Sequence, residues 1–223
     1  MIPLIVAAFS AVVSVVSSIG PAVVGFCTNV LPKILPLLEK GIEVLRVVEN
    51  IANTVAQVIG IFNGNETAEN IGDRAIQAAE QGVKPDQYGT HTEYMNALRE
   101  FKLNPEKTTE LTDIQKIASG LAVAGRGLDE KFGTPEGTMG KLWWLAAAMP
   151  EYFVANKLIE YAKTGQDVTS IFNYFEGKLG TGASLRVEDK LVELDKSMTP
   201  DQEEKSIRSQ IYAAAEAVQK HDQ

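Results

Sequence analysis

The stretch PLLEKGIEVLRVVENIANTVAQVIGIF, residues 36–62, decides the fold class of this chain. Its apolar residues recur at alternating steps of three and four, which is the spacing of one face of an α-helix. We predict one helix across the stretch, ended by the turn signal Asn63-Gly64. The seam of this helix consists of Leu38, Gly41, Leu45, Val48, Ala52, Val55, Ile59 and Phe62.

A second set of apolar residues lies beside this seam on the same helix. It widens the apolar face beyond that of a two-stranded coiled coil and suits a helix with several neighbours. The second set consists of Val44, Val47, Ile51, Val58 and Ile61. The seam residues that we predict to contact another subunit or a membrane are Leu38, Leu45, Val48, Val55, Ile59 and Phe62.

Helical patterns continue through most of the chain outside this stretch. Residues 90–93, 112–115 and 199–202 each have the spacing of a capping box, in which Thr begins a helix and Glu or Gln follows three positions later. Glycine and proline fall between the periodic segments, and strand-like alternation is scarce. These signals predict an all-α multi-helix bundle.

Charge is distributed unevenly along the 223 residues. Residues 1–62 carry three basic and three acidic side chains, so the net charge of −8 lies entirely within 63–223. We therefore predict two parts: apolar N-terminal helices at 1–62 that contact an assembly or a membrane, and an acidic all-α domain of short helices at 63–223. The negative charge disfavours nucleic-acid binding, because affinity for phosphates depends on Lys and Arg.

The first 32 residues carry no charged side chain. They lack the basic n-region and the cleavage site of a secretory signal, so we expect no cleaved signal peptide. Ser10, Ser14 and Ser18 recur every four residues and form a small-residue stripe, a feature that lets helices approach closely in membranes. The first predicted helix, residues 2–18, is short for spanning a bilayer. We expect this segment to contact another subunit, with a membrane and burial inside the chain's own core as the alternatives.

Two glycine-containing loops resemble nucleotide-binding motifs only in part. PEGTMGKL, residues 135–142, has proline in place of the first glycine of a phosphate loop and leucine in place of the hydroxyl residue that ligates magnesium. GKLGTGAS, residues 177–184, follows a helix rather than a strand and has the wrong glycine spacing for a dinucleotide fingerprint. Both are predicted to be turns between helices, and we expect no cofactor.

Residues that carry catalytic or metal chemistry are few. The chain has one cysteine, Cys27, and two histidines, His91 and His221, with no cysteine pair beside them. His91 falls in a predicted capping turn, where a structural or surface role is expected. We therefore predict no metal site and no catalytic residue.

Trp143 and Trp144 are adjacent in a predicted helix. Side chains of adjacent helical residues point about 100° apart, so one ring is expected in the core and the other at an edge. The alternative is that they contact a partner, because buried tryptophan often anchors interfaces.

These patterns favour a non-enzymatic structural or assembly protein. Its apolar N-terminal helices would pack in an oligomer or larger particle, for example a phage virion or an injection machine. The partners expected are copies of itself or other subunits, and we expect the protein in a particle or at a membrane rather than free in the cytoplasm. One alternative is a membrane-active protein of the pore-forming, holin-like or ejection type. A second is a helical enzyme or a carrier of an apolar ligand.

Overall fold

The computed structural model describes residues 2–34, 36 and 42–221, and every regular element among them is helical. The predicted all-α multi-helix bundle is confirmed. The α-helices are α1 (Ile2–Ser18), α2 (Val24–Asn29), α3 (Leu31–Ile34), α4 (Glu43–Ile59), α5 (Ala68–Glu80), α6 (His91–Glu100), α7 (Pro105–Glu110), α8 (Asp113–Phe132), α9 (Lys141–Ala148), α10 (Ala155–Lys163), α11 (Val168–Phe175), α12 (Thr181–Met198) and α13 (Glu204–His221). Short 3₁₀ turns occur at Pro21–Val23, Pro85–Gln87 and Gly165–Asp167.

Helix α8 lies at the centre of the bundle. Every residue from Ile117 to Asp129 is buried except Arg126. Helices α1, α4, α5, α6 and α10 all pack on it. A helix that is covered on all sides needs apolar or small residues around its whole circumference, and the sequence IASGLAVAG supplies them from residue 117 to residue 125.

The closest helix contact in the molecule joins α5 and α8 through two glycines. A Cβ atom at Gly120 would overlap the backbone carbonyl of Ala68, and one at Gly72 would overlap the backbone carbonyl of Lys116. The pairing of 68 with 120 and of 72 with 116 makes the two helices antiparallel. The missing side chains let the two backbones touch, as small residues do wherever helices cross closely.

The N-terminal helices share one core with the rest of the chain. Val12, Val16 and Ile19 are buried where α1 meets α5 and α8. Further along, Gly25 of α2 lies against Gly137, and a side chain at either position would overlap the other backbone. Buried side chains on both sides of residue 62 belong to one continuous cluster. The division into two parts at that residue stays a prediction.

A buried carboxylate connects the N-terminal segment to the C-terminal half. Glu176, whose side chain is 1% exposed, accepts hydrogen bonds from Lys33 at 2.9 Å, from Lys178 at 2.7 Å and from Lys141 at 3.3 Å. Burial opposes its ionisation, but the bonds from Lys178 and Lys33 and the charge of Lys141 outweigh burial and lower the pKa of Glu176 to about 2. One anion therefore holds three cations from three parts of the chain.

Helix α4 is shorter than the stretch that predicted it. Its C-cap is Gly60, which adopts a left-handed conformation with φ of 84°, so the helix ends before the expected signal Asn63-Gly64. A glycine adopts this conformation without the steric cost that a Cβ atom imposes. The heptad spacing continues through Phe62, which is buried beyond the end of the helix. The predicted start at residue 36 involves residues 37–41, which lie outside the described residues.

Two of the three predicted capping boxes are confirmed. Thr90 accepts from the backbone N–H of Glu93 at 3.2 Å, and the box at 112–115 has the same reciprocal bonds. The third, at 199–202, is wrong. The Thr199 hydroxyl instead donates to the carbonyl of Asp195 at 2.9 Å, which satisfies the end of α12, and α13 begins only at Glu204.

Candidate functional site

The predicted serine stripe of α1 faces solvent. Ser10, Ser14 and Ser18 are all exposed, and the Ser18 hydroxyl donates to the carbonyl of Val15 at 2.6 Å. Val12 and Val16 on the opposite side of the helix are buried. A surface without charged side chains is therefore present on this helix, and its role as a subunit or membrane contact stays a prediction.

The predicted seam of α4 lies inside the chain. Leu38 lies outside the described residues. The other five of the six seam residues predicted to contact a subunit or a membrane are buried and pack among α5, α8, α9 and α10. These are Leu45, Val48, Val55, Ile59 and Phe62. In the folded chain they fill its own core, and their role in an oligomer or membrane contact stays a prediction.

The neighbouring stripe of the same helix is the one that faces outward. We call Val44, Val47, Ile51, Thr54 and Val58 the α4 stripe. Val58 is 66% exposed and Val47 is 41% exposed. The stripe also has heptad spacing, and no charged residue occurs between Glu49 and Glu66. A solvent-exposed helix face usually carries charged side chains, so this one has the composition of an interface.

A groove extends the α4 stripe at its N-terminal end. Val44 and Val47 line it together with Ala147, Ala148 and Pro150, and its volume is about 320 Å³. Two glutamates and His221 complete its lining. Apolar residues together with polar ones are the usual composition of a protein contact.

Both tryptophans are buried in the core, so the expectation that one ring lies at an edge is wrong. Trp143 is 0% exposed and Trp144 is 1% exposed, and the Trp143 indole N–H donates to the carbonyl of Leu121 at 2.9 Å. The Lys33 ammonium lies 5.5 Å from the centre of the Trp144 ring. Their predicted contact with a partner stays a prediction, and in the folded chain both rings serve its own packing.

The loop that resembles a phosphate loop is built around a carboxylate of the protein itself. Asp129 accepts three hydrogen bonds of 2.7 Å, from the hydroxyl of Thr134 and from the backbone N–H groups of Gly137 and Met139. Burial raises the pKa of Asp129 to about 6, although these bonds stabilise its charged form. The loop amides that would hold a phosphate are therefore occupied by the Asp129 side chain, consistent with the predicted turn before α9.

His91 is a core residue rather than a surface one. It is 4% exposed, and neither ring nitrogen has a hydrogen-bond partner among the described residues. Its ring lies so close to α8 that a side chain at Gly127 would overlap it. Burial, together with the positive charges of Arg126 and Arg99, lowers the pKa of His91 to about 3.

The His91 ring is expected to stay neutral down to about pH 4. Because its pKa is lower in the folded chain than in the unfolded one, the unfolded chain takes up the proton first. Protonation of His91 therefore does not reduce the free energy of unfolding above about pH 6.5. Below that pH the free energy of unfolding declines as the pH falls towards 3. Two-dimensional NMR of the imidazole resonances, recorded against pH in the folded protein, measures the pKa of His91 directly. A titration midpoint near pH 6 in the folded protein would contradict the burial of this ring.

A cavity of about 540 Å³ lies among residues 149–154, α10, α12 and α13. Apolar atoms form the larger part of its exposed wall, with contributions from Met149, Val154, Met198 and Ala213, and polar and charged side chains form the rest. The volume is in the range of small-molecule sites in proteins. None of the contact residues predicted from the sequence lines it, although Thr199 and Gln202 of the predicted capping box do.

A connected polar network forms one side of this cavity. The Lys157 ammonium donates to Asp195 Oδ2 at 2.7 Å, and the Tyr152 hydroxyl donates to the same oxygen at 2.9 Å. The Tyr152 hydroxyl also lies 3.3 Å from that of Tyr161. The lysine nitrogen is 3.5 Å from the centre of the Tyr152 ring. Two helices, α10 and α12, and the loop that carries Tyr152 thus hold one lysine between a carboxylate and an aromatic face.

The network alters the acidity of its members. Burial lowers the pKa of the Lys157 ammonium, and the Asp195 carboxylate offsets part of this effect by stabilising the charged form. Burial and the nearby carboxylate raise the pKa of Tyr152, and burial raises that of Tyr161. The lysine is therefore easier to deprotonate than an exposed one, whereas both phenols stay protonated at neutral pH.

Sequence reasoning missed this network because its members are far apart along the chain. Lys157 and Asp195 are 38 residues apart on different helices. The available signal was weak: Asp195 follows Leu191 by four positions and Val192 by three, which places a carboxylate on the apolar face of α12.

Comparisons with known proteins leave the site to be interpreted from its own geometry. No protein-family model, no curated protein and no solved structure matches this chain. Among the described residues, no helix combines the length and apolar character needed to cross a membrane. Within the same residues, no group of three or more His, Cys, Asp and Glu side chains is placed to hold a metal ion.

Proposed function

We propose that this protein is a structural subunit that assembles with copies of itself through the α4 stripe. The observation that supports the proposal is the pair of heptad stripes on α4. One fills the core, and the other is uncharged, with Val47, Thr54 and Val58 exposed and Val44 and Ile51 half-buried beside them. Heptad spacing is the pattern that a second helix with the same spacing complements.

Charge favours this surface for contact between copies. Each chain has a net charge of −8, so two copies repel each other over most of their surfaces. The α4 stripe lacks charged side chains, and the groove beside it accepts an apolar side chain from a neighbour. The stripe itself brings no like charges together in such a contact, although Glu43 and Glu151 line the groove beside it.

A second uncharged surface is consistent with assemblies larger than a dimer. The exposed serines of α1 form a small-residue face on a different helix. A subunit with two separate contact surfaces can join more than one neighbour, as subunits of rings and filaments do. A phage particle or an injection machine is the setting that fits such a subunit.

Sedimentation velocity of the Val47→Glu, Val58→Glu double variant tests the proposal. Wild-type protein should sediment as a dimer or larger species, and the double variant as a monomer, because two new carboxylates per copy would face each other across the contact. Leu185→Glu is the matched control, since Leu185 is an apolar residue, 55% exposed, on α12. It should leave the wild-type mass unchanged.

Two results would contradict self-assembly through this stripe. One is a wild-type monomer at every concentration from micromolar to millimolar. The other is equal dissociation of the control and the double variant. Flotation with phosphatidylcholine vesicles distinguishes self-assembly from the membrane-active alternative. A wild-type monomer that floats with the vesicles would support the membrane-active alternative.

A further inference from the structure

The network at the cavity has the three parts that activate a nucleophile. Lys157 supplies the amine, Asp195 lies within proton-transfer distance at 2.7 Å, and Tyr152 orients the carboxylate through its hydroxyl at 2.9 Å. A nucleophile, a proton acceptor and an orienting group in hydrogen-bonded sequence recur in enzymes that form covalent intermediates. The Lys157 side chain is 12% exposed and lines the cavity.

We propose that Lys157 is a nucleophilic amine that binds neutral, hydroxylated aldehydes covalently as an imine. This site is separate from the α4 stripe and goes beyond the proposed assembly function.

The reaction balances without an added oxidant or reductant. A proton passes from the Lys157 ammonium to the Asp195 carboxylate, and the freed electron pair of Nζ attacks the carbonyl carbon. As the C=O π bond breaks, the oxygen takes that proton back from Asp195 and becomes the hydroxyl of a carbinolamine. Asp195 then takes a second proton from the nitrogen and passes it to the hydroxyl, which leaves as water while the nitrogen electron pair forms the C=N bond. The product is a protonated imine beside the Asp195 carboxylate. One amine and one aldehyde thus give one imine and one water.

The surroundings of the amine suit this step. The ring of Tyr152 covers one side of Nζ, so attack on a carbonyl proceeds from the cavity. Asp195 Oδ1 is buried and has no hydrogen-bond partner among the described residues. Oδ1 is therefore a second acceptor atom on the same carboxylate, beside the Oδ2 atom that Lys157 and Tyr152 contact. Burial also favours the neutral, nucleophilic form of the lysine.

The charges of the wall select the kind of aldehyde. Lys157 is the only cation among the described residues that line the cavity, whereas Glu151 and Asp195 are anionic. A carboxylate or phosphate on the ligand would meet these acidic groups and no second cation. The remaining polar wall donates and accepts hydrogen bonds without charge, as hydroxyl groups of a ligand require. These neutral residues are Asn156, Thr199, Gln202, Ser209 and Gln210.

Reductive trapping with glycolaldehyde tests the site on the full chain. Sodium cyanoborohydride converts an imine to a stable secondary amine, which intact-mass measurement counts and peptide mapping locates. We expect one label per chain at Lys157 in short reactions at neutral pH. Lys163 is the internal control, because it lies on the same helix and is 57% exposed. It should stay largely unlabelled.

Variants and a second probe complete the test. Lys157→Arg keeps the positive charge beside Asp195 but should lose the label, and Lys163→Arg should retain it. Glyoxylate, an anionic aldehyde, should label Lys157 less than glycolaldehyde does. Equal labelling of Lys157 and Lys163 in the wild-type chain would overturn the proposal, whether or not the arginine variant folds. Equal labelling by the two probes would overturn its preference for neutral aldehydes.

Discussion

The Gly120→Ala variant should lose about 3 kcal/mol or more of its free energy of unfolding. The new methyl group would occupy the place of the Ala68 carbonyl, which is backbone and cannot rotate away. Relief requires α5 and α8 to separate along their antiparallel contact, and α8 is held on its other sides by further helices. The same cost is expected for Gly72→Ala at the reciprocal position.

Urea unfolding followed by circular dichroism measures this loss. The matched control is Gly182→Ala, because Gly182 is also helical but has only the end of a flexible arginine near it. Alanine at position 182 should raise the free energy of unfolding by at most about 1 kcal/mol, because it removes the conformational freedom that glycine has in the unfolded chain. If Gly120→Ala were as stable as the wild-type protein, the close contact of α5 with α8 would be wrong.

The Glu176→Gln variant is expected to lose about 3 kcal/mol of stability at neutral pH. An amide cannot neutralise the three ammonium groups that the carboxylate holds, so Lys33, Lys141 and Lys178 would repel one another around a buried neutral side chain. The loss should appear in urea unfolding at low and at high salt alike, because buried charges are poorly screened.

The pH dependence of this loss follows from the pKa of Glu176. That pKa falls from an ordinary value of 4.5 to about 2 on folding, so the carboxylate stabilises the fold above about pH 4.5 and loses this effect as the pH falls towards 2. The difference between wild-type and variant should shrink over that interval. Glu216→Gln is the control, because Glu216 is exposed and has one exposed lysine partner. A constant difference from pH 7 to pH 2 would refute the assignment.

The helical class could be predicted because local signals agree with tertiary packing. Heptad spacing identified α4, and the capping boxes at Thr90 and Thr112 marked the starts of α6 and α8. The end of α4 could not be predicted in the same way. Gly60 falls inside the periodic pattern, and only the surrounding structure determines that it turns left-handed there.

The candidate surfaces and the cavity depend on which residues meet in space. Spacing alone shows that α4 has two apolar stripes but does not determine which one faces the core. The pairs 68 with 120 and 72 with 116 join helices whose separation along the chain carries no periodic signal. Lys157 and Asp195 likewise come together only because α10 and α12 are neighbours. Each of these features is a property of the tertiary arrangement.

The position of Glu176 in the chain has a consequence for the order of folding. Its partner Lys33 is 143 residues away, so this ion cluster closes a long loop. Because closing a long loop costs conformational entropy, we expect the cluster to form late in folding. During synthesis the ribosome releases the apolar N-terminal helices well before their anionic anchor exists. Until Glu176 has been made, the apolar faces of these helices can contact other chains instead. We therefore expect a newly made chain to be most prone to aggregation in that interval.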